Sequence, residues 1–272
     1  MTDTAQPSPE LIADTELHNT AAELFSEPQK VAVGRALSWL TEGWALMMKE
    51  PLVFAAMSVI SLVAIFIISL VPLLGSLAVT LLWPAMVAGF FLAFKHAKQQ
   101  QAVTANDLFE PFKAPASLIG VGGMYLLASI VLFLVLGLVA FLSLGSITAI
   151  MNGQIDMGRM FVGLIIITLI ATPASLALAM AFIFAPVLVH EHQVPVIEAI
   201  KRSFIGCLRN ILPFIVFFII LMVALFVVGI FVAIPLLGWF IGIAVAIIYL
   251  PLFCGALFCA YRDIFVNHHT AS

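Results

Sequence analysis

Three consecutive polar residues, His190, Glu191 and His192, form the strongest candidate for site chemistry in this sequence. Imidazole and carboxylate groups are good zinc ligands. In the zinc-protease motif, however, the two histidines stand four residues apart, which places both on one face of a helix. Here they are two residues apart, and they follow a long apolar segment, where polar residues commonly mark the end of a membrane span. We therefore predict no metal site and no cofactor.

Other patterns that indicate an enzyme are missing from the sequence. Ser146 and Ser203 have no general base that the sequence can place beside them, and no Gly-x-Ser-x-Gly elbow occurs. Phosphate loops of the Walker type and dinucleotide-binding glycine patterns are also absent. The three cysteines, Cys207, Cys254 and Cys259, form no disulfide or zinc framework, and we expect small buried side chains. We predict that the protein is not an enzyme and binds no nucleic acid.

The composition is that of a membrane protein. Of the 272 residues, 64% are hydrophobic and 9% are charged, whereas soluble domains contain about 45–50% apolar and about 25% charged residues. A helix needs roughly 20 apolar residues to cross about 30 Å of hydrocarbon, and six stretches are long enough. They are Leu52–Val71, Leu74–Phe94, Leu118–Leu142, Met160–Val189, Ile211–Ala233 and Leu236–Ala260. We predict an all-α bundle of six transmembrane helices.

Lysine and arginine predict the orientation of this bundle, because they concentrate on the cytoplasmic side of membrane proteins. With the N-terminus inside, Arg159 alone falls on the outer side. The cytoplasmic side then holds Lys30, Arg35, Lys49, Lys95, Lys98, Lys113, Lys201, Arg202, Arg209 and Arg262. We predict a multi-pass protein of the bacterial inner membrane with both termini in the cytoplasm. No ionisable residue falls at mid-membrane depth, which argues against a proton-coupled transporter.

Two outer connections repeat the same apolar Pro-Leu-Leu-Gly sequence. Pro72 and Gly75 join the first two spans, and Pro235 and Gly238 join the last two. Proline and glycine end a helix and permit a tight reversal. The surrounding residues also correspond in order: Pro51, Pro72, Pro84 and Lys95 match Pro213, Pro235, Pro251 and Arg262. We predict three repeated units, each an interfacial helix followed by a membrane hairpin, with the middle unit the faintest.

An amphipathic stretch precedes the first hairpin at Val33–Lys49 and the last hairpin at Val196–Arg209. Apolar residues recur there at three- and four-residue steps, which indicates helices lying along the membrane surface. We expect Trp39 and Trp44 to lie at the headgroups as interfacial aromatic residues. The predicted contacts with anionic lipid headgroups are Arg35, Lys49, Lys201, Arg202 and Arg209. Alternatively, the same faces pack on the bundle as collars with no lipid preference.

The sequence divides into three parts. Residues 1–30 form an acidic cytoplasmic tail that we expect to be disordered, and its first 27 residues carry six acids and no lysine or arginine. Residues 31–265 form the membrane domain, and residues 266–272 form a second cytoplasmic tail. A short amphipathic turn around Leu17–Phe25 is a candidate for binding a partner protein. The expected partners are membrane lipids, including anionic ones; the oligomeric state is left open.

Several residues carry a resemblance to a known family. Gly43-Trp44 and Lys49-Glu50-Pro51 lie on an amphipathic helix, and a Pro-Leu-Leu-Gly turn and a proline-containing second span follow. This arrangement over about residues 31–265 resembles the uncharacterised YciC-like six-helix inner-membrane proteins. It is also similar to the membrane domain fused to some glycerophosphodiester phosphodiesterases, whose catalytic domain this chain lacks. The resemblance implies no catalytic residues.

Two functions are compatible with these features. The first is a non-enzymatic inner-membrane protein that organises lipids or partner proteins in envelope maintenance. The second is a small permease or channel for a neutral or lipid-like solute. The basic interfacial helices and the missing mid-membrane charge favour the first, whereas a central polar-lined cavity would favour the second.

Overall fold

The computed structural model describes residues 28–144, 157–234 and 237–266. All regular elements in these ranges are helical, as the all-α prediction requires. The helices are α1 (Arg35–Met47), α2 (Pro51–Ser69), α3 (Leu74–Lys98), α4 (Ala116–Leu144), α5 (Met157–Phe182), α6 (Ala185–His192), α7 (Val196–Arg209), α8 (Ile211–Val232) and α9 (Leu237–Phe265). Two short 3-10 segments, Ala105–Leu108 and Glu110–Lys113, lie between α3 and α4. Four features of the sequence lie outside the described residues. They are the amphipathic turn at 17–25, Asn152 of the middle connection, Pro235 and the tail from residue 267.

Within the residues that the structure describes, six segments are long and apolar enough to cross a membrane, which confirms the predicted number of spans. They are Pro51–Ser69, Leu74–Lys98, Ala116–Leu142, Met160–His192, Ile211–Val232 and Leu237–Val266. The fourth span is made of two helices, because the chain breaks between α5 and α6. Pro186 stands in the first turn of α6, where its missing N–H costs no hydrogen bond, whereas inside a continuous helix it would.

A glycine is required at the beginning of α3 and of α9, because in both places a side chain would collide with the backbone of the preceding helix. A Cβ atom on Gly75 would lie 2.1 Å from the carbonyl oxygen of Ile68, and one on Gly238 would lie 1.9 Å from that of Val232. Both distances are far shorter than any real contact, so any other residue would force the two helices of the hairpin apart. Leu73 enters the first of these turns with a φ of 62°. The three-unit repeat stays a prediction.

The buried core lies toward one end of the bundle. It includes Phe54 near the start of α2, Phe94 near the end of α3, Phe214 near the start of α8 and Phe258 near the end of α9. The opposite halves of the spans expose large apolar side chains such as Phe133, which is the normal state of a helix surrounded by lipid. We call the buried half, which carries α1, α7 and the ends of α3, α6 and α9, the basic end.

Close approach between α1 and α9 organises this core. A Cβ atom on Gly43 would lie 2.6 Å from the backbone nitrogen of Ala256. On the other side of the contact, Gly255 faces the Phe94 ring and the Cα atom of Gly43. Small residues of this kind let helix backbones touch, which is a main source of helix association in lipid.

Replacing Gly43 by alanine should therefore destabilise the protein by about 1–3 kcal/mol, because the new methyl group meets backbone rather than a flexible side chain. Gly137→Ala is the matched control, since a Cβ atom there meets nothing within 4 Å. Thermal unfolding in detergent measures both changes. A Gly43→Ala variant as stable as the Gly137→Ala control would contradict the close contact.

Candidate functional site

Asp263, in the last turn of α9, fixes α1 to the bundle. Its Oδ2 atom accepts a hydrogen bond of 2.7 Å from Nε of Arg35 and one of 2.8 Å from Nε1 of Trp39. Arg35 also forms an ion pair of 2.9 Å with Glu42, about two helical turns later. These carboxylates raise the pKa of the Arg35 guanidinium, Asp263 contributing most. The two carboxylates therefore keep Arg35 charged and fix its position.

The structure corrects the predicted position of Trp39. Its side chain is fully buried, and its ring lies 5.3 Å from that of Phe214 and 6.2 Å from that of Phe217, measured between centroids. With its N–H bound to a carboxylate and its ring inside the core, this indole is not at the lipid headgroups. Trp44 is 44% exposed, so its predicted interfacial role remains open.

Four of the five predicted headgroup cations have partners within the protein. Arg35 binds Asp263, and the ammonium of Lys49 donates to the carbonyl of Ala97 at 2.8 Å. The remaining two are on α7: Arg202 pairs with Glu198 at 2.9 Å, and Arg209 donates to the carbonyl of Pro28 at 3.0 Å. Lys201 is exposed. These contacts hold α1 and α7 against the bundle, and the choice between lipid contact and simple collars stays a prediction.

The face of α7 that enters the bundle is made of small residues: Ala199, Ser203, Gly206 and Cys207. The hydroxyl of Ser203 accepts a hydrogen bond from the N–H of Phe184 at 3.1 Å and donates one to the carbonyl of Met180 at 2.8 Å. Ser203 therefore satisfies backbone groups freed at the break between α5 and α6. Burial raises the pKa of the Cys207 thiol, which makes this cysteine inert.

The opposite face of α7 is exposed and amphipathic. Ile197 is 73% exposed and Leu208 is 51% exposed, and Lys201 stands between them. At 100° per residue the three positions fall within about 40° of one another around the helix. Helix α1 has a comparable outer face, where Leu37, Trp44 and Met48 are exposed. We call these two surfaces the outer faces of α1 and α7.

Asn210, which sequence analysis did not single out, fastens the start of the described chain. Its side chain is fully buried between α7 and α8. The Oδ1 atom accepts from the N–H of Val31 at 2.7 Å, and the Nδ2 atom donates to the carbonyl of Gln29 at 2.7 Å. The described chain therefore begins beside the junction of α7 and α8.

In the sequence His190-Glu191-His192, the side chains of Glu191 and His192 have protein partners in the structure. Glu191 forms an ion pair with Lys95 of α3, and a ring nitrogen of His192 forms a hydrogen bond with the hydroxyl of Tyr261 on α9. Within the three described ranges, no group of three His, Cys, Asp or Glu side chains is placed to hold a metal ion. Glu191 and His192 therefore join α3, α6 and α9.

Two cavities bear on the choice between a lipid organiser and a permease. One, of about 350 Å³, opens at the basic end between α3, α6 and α9. The other, of about 440 Å³, is an almost wholly apolar groove between α5 and α8, lined among others by Met180, Phe214 and Met222. Neither is a central polar-lined passage, the feature that would favour a permease.

Comparison with known proteins supports the membrane assignment. Over 180 residues, or 63% of this chain, the sequence is 28% identical to a protein of Burkholderia thailandensis named as a probable inner membrane protein. The matched region spans 66% of that relative, slightly less than two thirds of its length. No family model matches the chain, and no solved structure matches it. With its six spans, the chain is a multi-pass integral protein of the inner membrane whose role is unassigned.

Proposed function

We propose that this protein is a non-enzymatic organiser of lipids in the bacterial inner membrane, acting through its basic end. The outer face of α7 carries this proposal, because it exposes one cation between two large apolar side chains, Ile197 and Leu208. The proposal includes a distant relationship to the YciC-like proteins and to the membrane domain of glycerophosphodiester phosphodiesterases. Gly43-Trp44 and Lys49-Glu50-Pro51 support that relationship.

The level of α7 in the membrane gives this face its lipid environment. Helix α7 follows the end of the fourth span at His192 and precedes the start of the fifth span at Ile211, so it lies where hydrocarbon gives way to headgroups. At that level, apolar side chains enter the acyl region while a lysine reaches the phosphates. The outer face of α1, with Leu37, Trp44 and Met48, fits the same environment.

We expect Lys201 to give the protein a preference for anionic over zwitterionic lipid. A basic residue near an anionic surface contributes about 1 kcal/mol, so Lys201→Gln should weaken anionic lipid binding at that position roughly fivefold. Electron spin resonance of spin-labelled phosphatidylglycerol and phosphatidylcholine, with the protein in vesicles, measures the relative association constants. The difference between the association constants of the two lipids should decrease at high salt, because salt screens the charge of the lysine.

Lys113→Gln is the control for this variant. Lys113 is an exposed lysine at the same end, but it already pairs with Glu110 at 2.6 Å, so its loss should leave lipid preference nearly unchanged. Equal preference for anionic lipid in the wild type and Lys201→Gln would leave α7 as a collar only and would refute the proposed role of its outer face.

The proposed orientation puts the basic end and both termini in the cytoplasm, supported by the lysine and arginine distribution. Cysteines introduced singly as Gln100→Cys and Asn152→Cys, in a variant lacking the three native cysteines, should label from opposite sides. A membrane-impermeant maleimide added to spheroplasts should modify Asn152→Cys alone and reach Gln100→Cys only after lysis. Labelling of Gln100→Cys in intact spheroplasts would reverse the orientation.

A further inference from the structure

The cavity of about 350 Å³ at the basic end is built by helix ends that are distant in sequence. Lys95 and Lys98 come from the last turn of α3, Glu191 and His192 from the end of α6, and Arg262 from the end of α9. Its deeper wall is apolar. That wall is formed by Phe91, Val187 and Phe258, which are all buried.

Three basic side chains line the rim of this cavity. They are Lys95, Lys98 and Arg262, and the Glu191 carboxylate lies among them. The Glu191 carboxylate is already bound to Lys95. Lys98 is exposed at the mouth, and the Tyr261 hydroxyl, held by His192, adds a further polar group. The rim thus presents basic groups to an oxyanion.

The depth of the cavity in the membrane indicates which kind of ligand it can bind. Three of the six spans end at its rim, at Lys98, His192 and Val266, so the mouth lies at headgroup level. The apolar wall continues from there toward the hydrocarbon. A ligand that suits both parts has an anionic phosphate on an apolar body, which is the chemistry of a phospholipid.

We propose that this cavity binds the phosphate of an anionic phospholipid, with Lys98 and Arg262 contacting the phosphate and the glycerol and upper acyl chain against Phe91 and Phe258. This inference rests on the proposed lipid-organising function and gives it a specific site, separate from the outer face of α7. A soluble phosphate compound presents the same oxyanion without the apolar body, and the experiment must distinguish the two.

A simpler role for these cations is to complement helix dipoles. Lysine and arginine at the last turn of a helix are stabilised by the partial negative charge of the C-terminus, and Lys98 and Arg262 both stand there. That role makes no use of the aromatic wall and implies no lipid selectivity. A comparison of ligands with and without acyl chains, and with and without phosphate, therefore separates the two roles.

The test uses the full-length protein, purified in detergent, stripped of lipid and titrated in native mass spectrometry. The ligands are phosphatidylglycerol, diacylglycerol with the same chains and inorganic phosphate. Wild-type protein should bind phosphatidylglycerol in preference to the other two. Lys98→Gln with Arg262→Gln should weaken that binding roughly thirtyfold, since two cations are lost, and Lys98→Arg should retain it.

Lys98→Gln alone provides the test if the double variant fails to fold, and it should weaken binding roughly fivefold because one exposed cation is lost.

Lys201→Gln provides the comparison that distinguishes this site from α7. If Lys201→Gln loses anionic preference in vesicles while the Lys98 variants bind phosphatidylglycerol like wild type, the lipid-organising function stands and the cavity site is refuted. Equal binding of inorganic phosphate and phosphatidylglycerol would assign a soluble ligand and overturn the phospholipid assignment. Binding of diacylglycerol as tight as that of phosphatidylglycerol would overturn the phosphate contact.

Discussion

The Asp263 carboxylate accepts hydrogen bonds from Arg35 and Trp39, which lie 228 and 224 residues earlier in the chain. Its side chain is only 11% exposed, and a carboxylate removed from water is costly unless cations and donors satisfy it. Helix α1 supplies both donors and is thereby held against α9. That contact brings Gly43 onto Ala256 and fixes the end of α9, whose neighbouring residue Arg262 lines the cavity.

The bilayer explains why the tightly packed part is at one end. In hydrocarbon, apolar side chains gain little by burying against each other, so helices associate through close backbone contact and satisfied polar groups. The basic end has both, in the contact of Gly43 with Gly255 and Ala256 and in the hydrogen bonds of Ser203 and Asn210. Toward the opposite end, lipid covers the exposed apolar surface of the spans, and glycine at positions 75 and 238 keeps two hairpins tight.

Local signals in the sequence were enough to predict the six spans, but they were not enough to predict which residues form the site. Hydropathy and proline located six spans because each depends on a continuous segment. Trp39 and Trp44, however, look alike in an amphipathic helix with apolar residues on both faces. They lie five residues apart, about 140° around the helix, so one can enter the core while the other faces outward. The acceptor for Trp39 and the rim of the cavity come from distant segments, and no spacing within the sequence indicates those pairings.

If the basic end binds anionic phospholipid specifically, that lipid should be the last to leave the protein. Native mass spectrometry of the protein extracted from bacterial membranes, followed through stepwise removal of lipid, measures this order. Adducts of anionic, phosphate-bearing lipid should remain on the protein after the zwitterionic lipids have dissociated. Loss of both lipid classes at the same step, or retention of zwitterionic lipid alone, would contradict it.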